Sequence, residues 1–254
     1  MSDADELTAQ LRRAGCVFAE EEAAVLRAAA SSPAELTMLT ERRVAGEPLE
    51  HVVGWVLFCG RRIRLEPGVF VPRQRTTLMA RLAVARLPAG GTLVELCCGA
   101  AAVATVAVAS IENVQVWAAD CDPVAVRSAS LNLQPDRVLL GDLYEPLPAG
   151  LRGRVDVLAA NAPYVPSEAI ALMPREAQGY EAVVALDGGR DGLQVLRRVL
   201  DGAADWLSPA GSLLVEAGSD QLSQLAEHAG RQNLHATIHT DEDVAGIVVE
   251  LRRR

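Results

Sequence analysis

The sequence predicts an α/β protein with a doubly wound, mostly parallel sheet, an antiparallel C-terminal hairpin, and a small helical domain in front of the sheet. Short apolar runs alternate with helical patterns from residue 92 onward, which is typical of parallel strands joined by helices. Residues 235–240 and 246–251 flank an acidic turn, which indicates a hairpin. Residues 1–46 contain only helical patterns, in which charged residues separate the apolar ones.

The N-terminal part is predicted to be a helical domain spanning residues 1–49. One helix start is sharply marked, because Ser32 can cap the helix, Pro33 suits its first position, and Glu35 can complete a capping box. Residues 52–58 and 61–65 surround Cys59-Gly60 and predict a β-hairpin connector within residues 50–72. The helical domain is either a packing appendage or a module that recognises a substrate or partner.

Residues 73–254 are predicted to form the main domain. Its first helix spans residues 76–87 and ends at a Pro-Ala-Gly-Gly segment. Apolar runs predict strands at residues 93–97, 114–119, 138–140, 155–160 and 212–215, and helices are expected at 101–109 and 122–131.

Composition excludes several classes of protein. The 254 residues carry 33 acidic and 24 basic side chains, for a formal charge of −9, so no general attraction to nucleic acid is expected. The chain has neither a basic stretch followed by an apolar run at its start nor eighteen consecutive apolar residues, so we expect a soluble, cytoplasmic protein without a membrane segment. The five scattered cysteines are expected to be reduced, and His235 and His239 lack further ligands for a metal.

The loops that follow the strands are where a ligand is expected, because ligands of doubly wound sheets bind beyond the carboxyl ends of the strands. The first loop, residues 95–101, consists largely of small residues, which allow a ligand to approach the backbone and the following helix. Its spacing is not Gly-x-Gly-x-x-Gly, which weakens a nicotinamide-dinucleotide interpretation. Asp120 follows the second strand and can accept hydrogen bonds from ribose hydroxyls, while Asp142 follows the third and can accept from an exocyclic amino group.

The fourth loop is the tetrapeptide Asn161-Ala162-Pro163-Tyr164. The Asn161 carbonyl oxygen and a neighbouring backbone carbonyl can each accept one hydrogen of an NH₂ group, while Tyr164 packs against its plane. The nitrogen lone pair of a planar amide or amine would then be aimed beyond the loop. The tetrapeptide is therefore suited to hold a planar nitrogen group.

Together these motifs resemble the protein-(glutamine-N5) methyltransferases that modify peptide release factors, which have a Rossmann-like class I methyltransferase fold. The resemblance spans roughly residues 50–250, and Gly68-Val69-Phe70-Val71-Pro72-Arg73 with Cys97-Cys98-Gly99 is closer still to a related branch of unassigned substrate. The motifs are, in order, Pro72-Arg73-x-x-Thr76, Glu95-Leu96-x-x-Gly99, Ala119-Asp120-x-Asp122-Pro123, Gly141-Asp142, Asn161-x-Pro163-Tyr164 and Ala185-Leu186-Asp187-Gly188-Gly189-x-Asp191-Gly192-Leu193.

The resemblance implies S-adenosyl-L-methionine as cofactor, S-adenosyl-L-homocysteine as product, no metal, and a protein substrate such as a peptide release factor. By position it assigns three groups of residues. Catalysis would rest on Asn161, Ala162, Pro163 and Tyr164, and the substrate would contact Arg73, Thr76, Asn161 and Tyr164. The cofactor would contact Glu95, Cys97, Gly99, Ala101, Asp120, Cys121, Asp142, Leu143 and Asn161.

Three departures from the family pattern leave the acceptor open. Cys97 and Ala101 replace glycines, Ala162 replaces a proline, and residues 74–77 lack both family acids. A small-molecule N- or O-methyltransferase therefore stays an alternative, as does a non-catalytic cofactor- or partner-binding module. Methylation of adenine N6 or cytosine N4 in nucleic acid is a further alternative, which the acidic charge disfavours.

Overall fold

The computed structural model describes residues 3–173 and 179–254; Met1 and Ser2 of the predicted helical domain lie outside them. The helices are α1 (Asp3–Arg13), α2 (Ala19–Ala29), α3 (Pro33–Val44), α4 (Leu49–Val53), α5 (Thr77–Arg86), α6 (Ala102–Ser110), α7 (Pro123–Ala129), α8 (Gln194–Trp206) and α9 (Leu222–Arg231). The strands are β1 (Trp55–Phe58), β2 (Arg61–Arg64), β3 (Thr92–Leu96), β4 (Gln115–Asp120), β5 (Val138–Leu140), β6 (Val155–Ala160), β7 (Leu207–Glu216), β8 (Leu234–Asp241) and β9 (Gly246–Arg253). No described helix has the length and apolar character needed to cross a membrane.

The predicted fold class is confirmed. Within the described residues, seven strands form one sheet in the order β5-β4-β3-β6-β7-β9-β8. Strands β3 to β7 pair in parallel, whereas β9 pairs antiparallel with both β7 and β8. Strand order reverses between β3 and β6, so the switch point where doubly wound sheets bind ligands lies at their carboxyl ends.

Helices cover both faces of the sheet. On one face α5 and α6 pack through small and apolar residues such as Met79, Ala83 and Ala104. On the other face α8 buries Leu196, Leu200 and other residues three or four positions apart, which is the periodicity of an amphipathic helix. The two faces leave the loops at the carboxyl ends of β3, β4 and β6 free to form a site.

The N-terminal helices bury their own apolar cluster, which includes Leu11, Leu26 and Leu39. Ser32 caps α3 as predicted, since its hydroxyl accepts from the Glu35 amide at 3.2 Å. The capping box is wrong in one detail, because the Glu35 carboxylate accepts from the backbone amide of Ser31 at 2.7 Å. Glu35 therefore secures the residue before the cap.

The predicted hairpin is shorter than expected. Residues 52 and 53 belong to helix α4 and not to a strand, because α4 begins after Pro48 and ends at Gly54, which has a φ of 76°. The side chain of Val52 is thereby buried in the N-terminal cluster. The hairpin residues Phe58 and Ile63 instead join the core around α5 and α6. The division of the chain at residues 49 and 72 stays a prediction.

Candidate active site

Loops after four parallel strands surround one cavity of about 400 Å³, within the range of small-molecule sites. We call it the first cavity. The predicted cofactor residues that line it are Glu95, Cys97, Gly99, Asp120, Cys121, Asp142, Leu143 and Asn161. Ala101 is fully buried and does not line it. The structure therefore brings all but one of these residues to one cavity.

The first loop has a glycine-like backbone despite its substitutions. Cys97, Gly99 and Ala101 have φ values of 50°, 53° and 56°, in the left-handed region that residues with a Cβ rarely adopt. These are the three positions at which the family pattern has glycine. Cys97 and Ala101 therefore adopt a backbone conformation that glycine would adopt without strain.

Glu95 points toward the start of α6. Its carboxylate accepts from the amides of Ala104 at 2.7 Å and Val103 at 3.4 Å. Burial raises the pKa of Glu95 to about 7, although both amides oppose the rise. Glu95 therefore anchors α6 beside the first cavity.

Glu95→Gln is expected to alter the pH dependence of folding. A carboxyl with a raised pKa binds its proton more tightly in the folded protein, so its contribution to stability is present below pH 4.5 and is lost as the pH rises toward about 7. The free energy of unfolding of the wild type should fall relative to that of Glu95→Gln by up to about 1.4 kcal/mol per pH unit in this window. Denaturant unfolding of both proteins from pH 4 to 8 measures the difference, and parallel curves would contradict the burial argument.

Two aspartates at the first cavity have different surroundings. The Asp120 carboxylate accepts from the amides of Gly99 at 2.9 Å and Asp122 at 3.0 Å, and burial raises its pKa. Asp142 is half-exposed and forms an ion pair with Arg198 at 2.5 Å. A carboxylate has room for further donors in both cases, so each aspartate can still serve a ligand in the cavity.

A second cavity of about 410 Å³ adjoins the first. Phe70, Arg73, Arg75 and Tyr164 form part of its wall. Asn161 lines both cavities, as do its neighbours in space Phe70, Pro163 and Ala185. The two cavities therefore adjoin at the tetrapeptide, where Asn161 and Pro163 line both of them.

A hydrogen-bond network lies behind Asn161. Its Nδ2 donates to Thr76 Oγ1 at 3.4 Å, and Thr76 Oγ1 donates to Glu216 Oε2 at 2.7 Å. Arg75 Nε and Tyr164 Oη donate to Glu216 Oε1 at 2.7 and 3.2 Å. Burial raises the pKa of Tyr164 to about 12, so its hydroxyl stays a donor at neutral pH.

Two of the predicted substrate residues, Thr76 and Arg73, have carboxylate partners that the sequence did not predict. Thr76 lines the first cavity and not the second, and its hydroxyl is engaged by Glu216. Arg73 donates to both carboxylate oxygens of Glu181 at 2.7 and 2.8 Å. Sequence reasoning missed Glu181 and Glu216, although Glu216 ends β7 as Asp120 ends β4.

The glycine-rich segment after residue 186 packs against the backbone of the tetrapeptide. A Cβ at Gly188 would lie 2.7 Å from the Pro163 carbonyl oxygen. Gly192 has a φ of 72° and packs against the Tyr164 carbonyl, and Gln221 Nε2 donates to that same oxygen at 2.9 Å. Close packing of these backbones fixes the position of the tetrapeptide between the two cavities.

Metal ligation has no candidate among the described residues, where no three His, Cys, Asp or Glu side chains are grouped to hold an ion. His239 contacts the Glu250 carboxylate at 2.9 Å. His235 lies on β8 in the same hairpin, so the histidine pair is remote from both cavities.

Comparison with known proteins identifies clear relatives, although no family model matches the chain. The chain is 33% identical over 187 residues to the release factor glutamine methyltransferase of Geobacter sulfurreducens, covering 72% of this chain and 65% of that protein. It is 34% identical over 215 residues to the enzyme of the same name from Bordetella pertussis, covering 82% and 78%. A 4-amino-L-phenylalanine/4-methylamino-L-phenylalanine methyltransferase from Streptomyces pristinaespiralis is 35% identical over 193 residues, covering 72% and 65%.

Among solved structures, the ribosomal protein L11 methylase from Lactobacillus delbrueckii subsp. bulgaricus superposes with a TM-score of 0.53 at 16% identity, covering 76% of this chain and 85% of that one. This likeness concerns the fold. The sequence identities to the Geobacter and Bordetella proteins show the family to which the chain is related. They confirm the predicted resemblance. The chain belongs to the release factor glutamine methyltransferase family.

Proposed function

We propose that this chain acts in the cytoplasm and transfers a methyl group from S-adenosylmethionine to the side-chain amide nitrogen of a glutamine in a protein such as a peptide release factor. The observation that carries the proposal is the position of Asn161, which lines the first and the second cavity at once. A group bound in either cavity can therefore contact this side chain. Rate acceleration would come mainly from alignment.

The first cavity fits the cofactor by its size and by its donor set. Asp120 has a carboxylate suited to ribose hydroxyls, Asp142 and Leu143 suit the adenine, and the small residues of the loop at 97–101 allow the methionine part to approach its backbone. Bound there, S-adenosylmethionine supplies a methyl carbon attached to a positively charged sulfur. Transfer of this carbon to the acceptor nitrogen would break the carbon–sulfur bond and leave S-adenosylhomocysteine, and the methylated nitrogen would then lose one proton.

The second cavity is proposed to hold the acceptor. Asn161 Oδ1 and the Ala162 carbonyl would each accept one hydrogen of the NH₂ group, which turns the nitrogen lone pair toward the first cavity. Tyr164, whose ring is held by the bond from its hydroxyl to Glu216, would pack on the plane of the amide. The relatives that are named release factor glutamine methyltransferases support a protein glutamine as acceptor.

A second candidate is the aromatic amine of a free amino acid. The Streptomyces relative supports it by its name and 35% identity. The second cavity is lined by Phe70 and Tyr164, which suit an aromatic ring, and by Arg73 and Arg75, which suit a carboxylate. The tetrapeptide would handle an aromatic amine with the same two acceptors.

A methyl-transfer assay with radiolabelled S-adenosylmethionine separates these candidates. We expect label in a purified release factor and none in its Gln→Ala variant at the modified glutamine. Label in 4-amino-L-phenylalanine alone would favour the aromatic amine, and label in nucleic acid alone would contradict both. Binding of NAD in calorimetry, without binding of S-adenosylmethionine or S-adenosylhomocysteine, would show that the cofactor assignment is wrong.

A further inference from the structure

We propose that Glu216 is a positioning residue that fixes which end of the Asn161 amide faces the second cavity, and that it acts through the hydroxyl of Thr76. The inference rests on the proposed function for its catalytic consequence. Glu216 is 2% exposed and ends β7, whereas Asn161 follows β6. The two side chains are joined by Thr76, which precedes α5.

The number of protons available between Glu216 and Asn161 determines which atoms donate. A carboxylate only accepts hydrogen bonds, so the single Thr76 hydroxyl proton must point at Glu216 Oε2, 2.7 Å away. Thr76 Oγ1 can then only accept from the other side. The end of Asn161 that faces it at 3.4 Å must be the NH₂ group.

The opposite orientation of Asn161 is disfavoured for the same reason. It would set the amide oxygen against a hydroxyl oxygen whose proton is already used, and two acceptors without a proton repel each other. The NH₂ end therefore turns to Thr76, and the carbonyl end is left for a donor in the second cavity. The NH₂ group of the methyl acceptor is such a donor. A group without N–H or O–H could not donate to the Asn161 oxygen.

Other contacts keep Glu216 an acceptor. Arg75 Nε donates to Oε1 at 2.7 Å, and its guanidinium carries the compensating positive charge for a carboxylate that is buried. Tyr164 Oη donates to the same oxygen at 3.2 Å. Glu216 thus fixes two side chains of the tetrapeptide: it sets the orientation of the Asn161 amide and holds the ring of Tyr164.

Two variants test the relay, each with a matched control elsewhere in the chain. Thr76→Val removes the hydroxyl at nearly constant shape. Glu216→Gln replaces a carboxylate, which only accepts, by an amide that also donates. The controls are Thr40→Val, at a buried threonine whose hydroxyl donates to the Leu36 carbonyl, and Glu250→Gln, at a buried glutamate paired with Arg86. Both control sites lie outside the two cavities.

The first measurement needs no acceptor. In protein labelled with ¹⁵N-asparagine, the side-chain NH₂ signals of Asn161 are identified by their loss in Asn161→Ala. Thr76→Val and Glu216→Gln should each shift these signals and speed their exchange with solvent, whereas the controls should leave them in place. Asn161 signals that are unmoved in Thr76→Val would overturn the relay, whether or not Glu216→Gln folds.

The second measurement is the single-turnover rate of methyl transfer at saturating cofactor. Each relay variant should slow transfer by about tenfold through misalignment, Thr76→Ser should recover most of the loss of Thr76→Val, and the double variant should be little slower than either single one. Full multiplication of the two effects would overturn the coupling. If the wild type methylates neither amide nor amine, the proposed function fails, and the Asn161 signals still decide the relay.

Discussion

Asn161→Ala is expected to lower the rate of methyl transfer about a hundredfold or more, because it removes the side chain that aims the acceptor nitrogen. Losses of this size accompany the removal of one positioned polar contact in an active site. The fold should survive, since Asn161 is only partly buried and the hydrogen bond from its side chain to Thr76 is 3.4 Å long. Single-turnover rates with an identified acceptor measure the effect.

The same variant supplies its own controls. Its affinity for S-adenosylhomocysteine should change little, because Asp120, Asp142 and Leu143 remain on the wall of the first cavity, and its thermal unfolding should match the wild type. A variant that transfers methyl at the unmutated rate would mean that the tetrapeptide is structural. The mechanism proposed above would then be wrong.

Asn161→Asp refines this expectation. An ionised aspartate has no hydrogen to donate to Thr76, whose own proton is directed at Glu216, so the two oxygens would repel. The new negative charge would also stabilise the positive sulfur before transfer and so oppose the loss of the methyl group. We expect cofactor affinity at or above that of the wild type with slower transfer, and equal rates for the two proteins would contradict this reasoning.

Much of the fold followed from patterns that are local in the sequence. Strands β5 and β6 lie at the predicted residues 138–140 and 155–160, because each is rich in Val, Leu and Ala and is followed by a turn-forming residue, Gly141 or Asn161. Helix α4 was missed because Val52 and Val53 are β-branched and belong to the mostly apolar run that continues to Phe58. The burial of Val52 among the N-terminal helices outweighs this local preference.

The candidate site was likewise predictable from the sequence only in part. Asp120, Asp142 and the tetrapeptide each follow a strand directly, and a parallel sheet brings such positions to one edge. The partners Glu181 and Glu216 lie more than a hundred residues from Arg73 and Arg75, and only the tertiary fold joins them. The substitution of glycine by Cys97 and Ala101 gave no sign that both would keep a left-handed backbone.

Asp120→Ala is expected to weaken binding of S-adenosylmethionine and S-adenosylhomocysteine by roughly 1–3 kcal/mol, the contribution of hydrogen bonds to a charged acceptor. The structure adds a second cause, since the same carboxylate accepts from the amides of Gly99 and Asp122 and so shapes the first loop. Asp120→Asn separates the causes only in part, because Gly99 and Asp122 donate to different carboxylate oxygens and a single amide oxygen keeps one of these bonds while the charge is lost. Calorimetry on both variants measures the two losses.

Asp156→Ala is the matched control for Asp120. Its carboxylate accepts from the Thr92 amide at 2.9 Å and the Ser208 hydroxyl at 3.0 Å, and it is absent from the walls of both cavities. Loss of this carboxylate should lower stability without changing the dissociation constant of either methyl-cycle compound. If Asp120→Ala binds both as tightly as Asp156→Ala does, then Asp120 only braces the loop, and the ribose must be held by other groups on the wall of the first cavity.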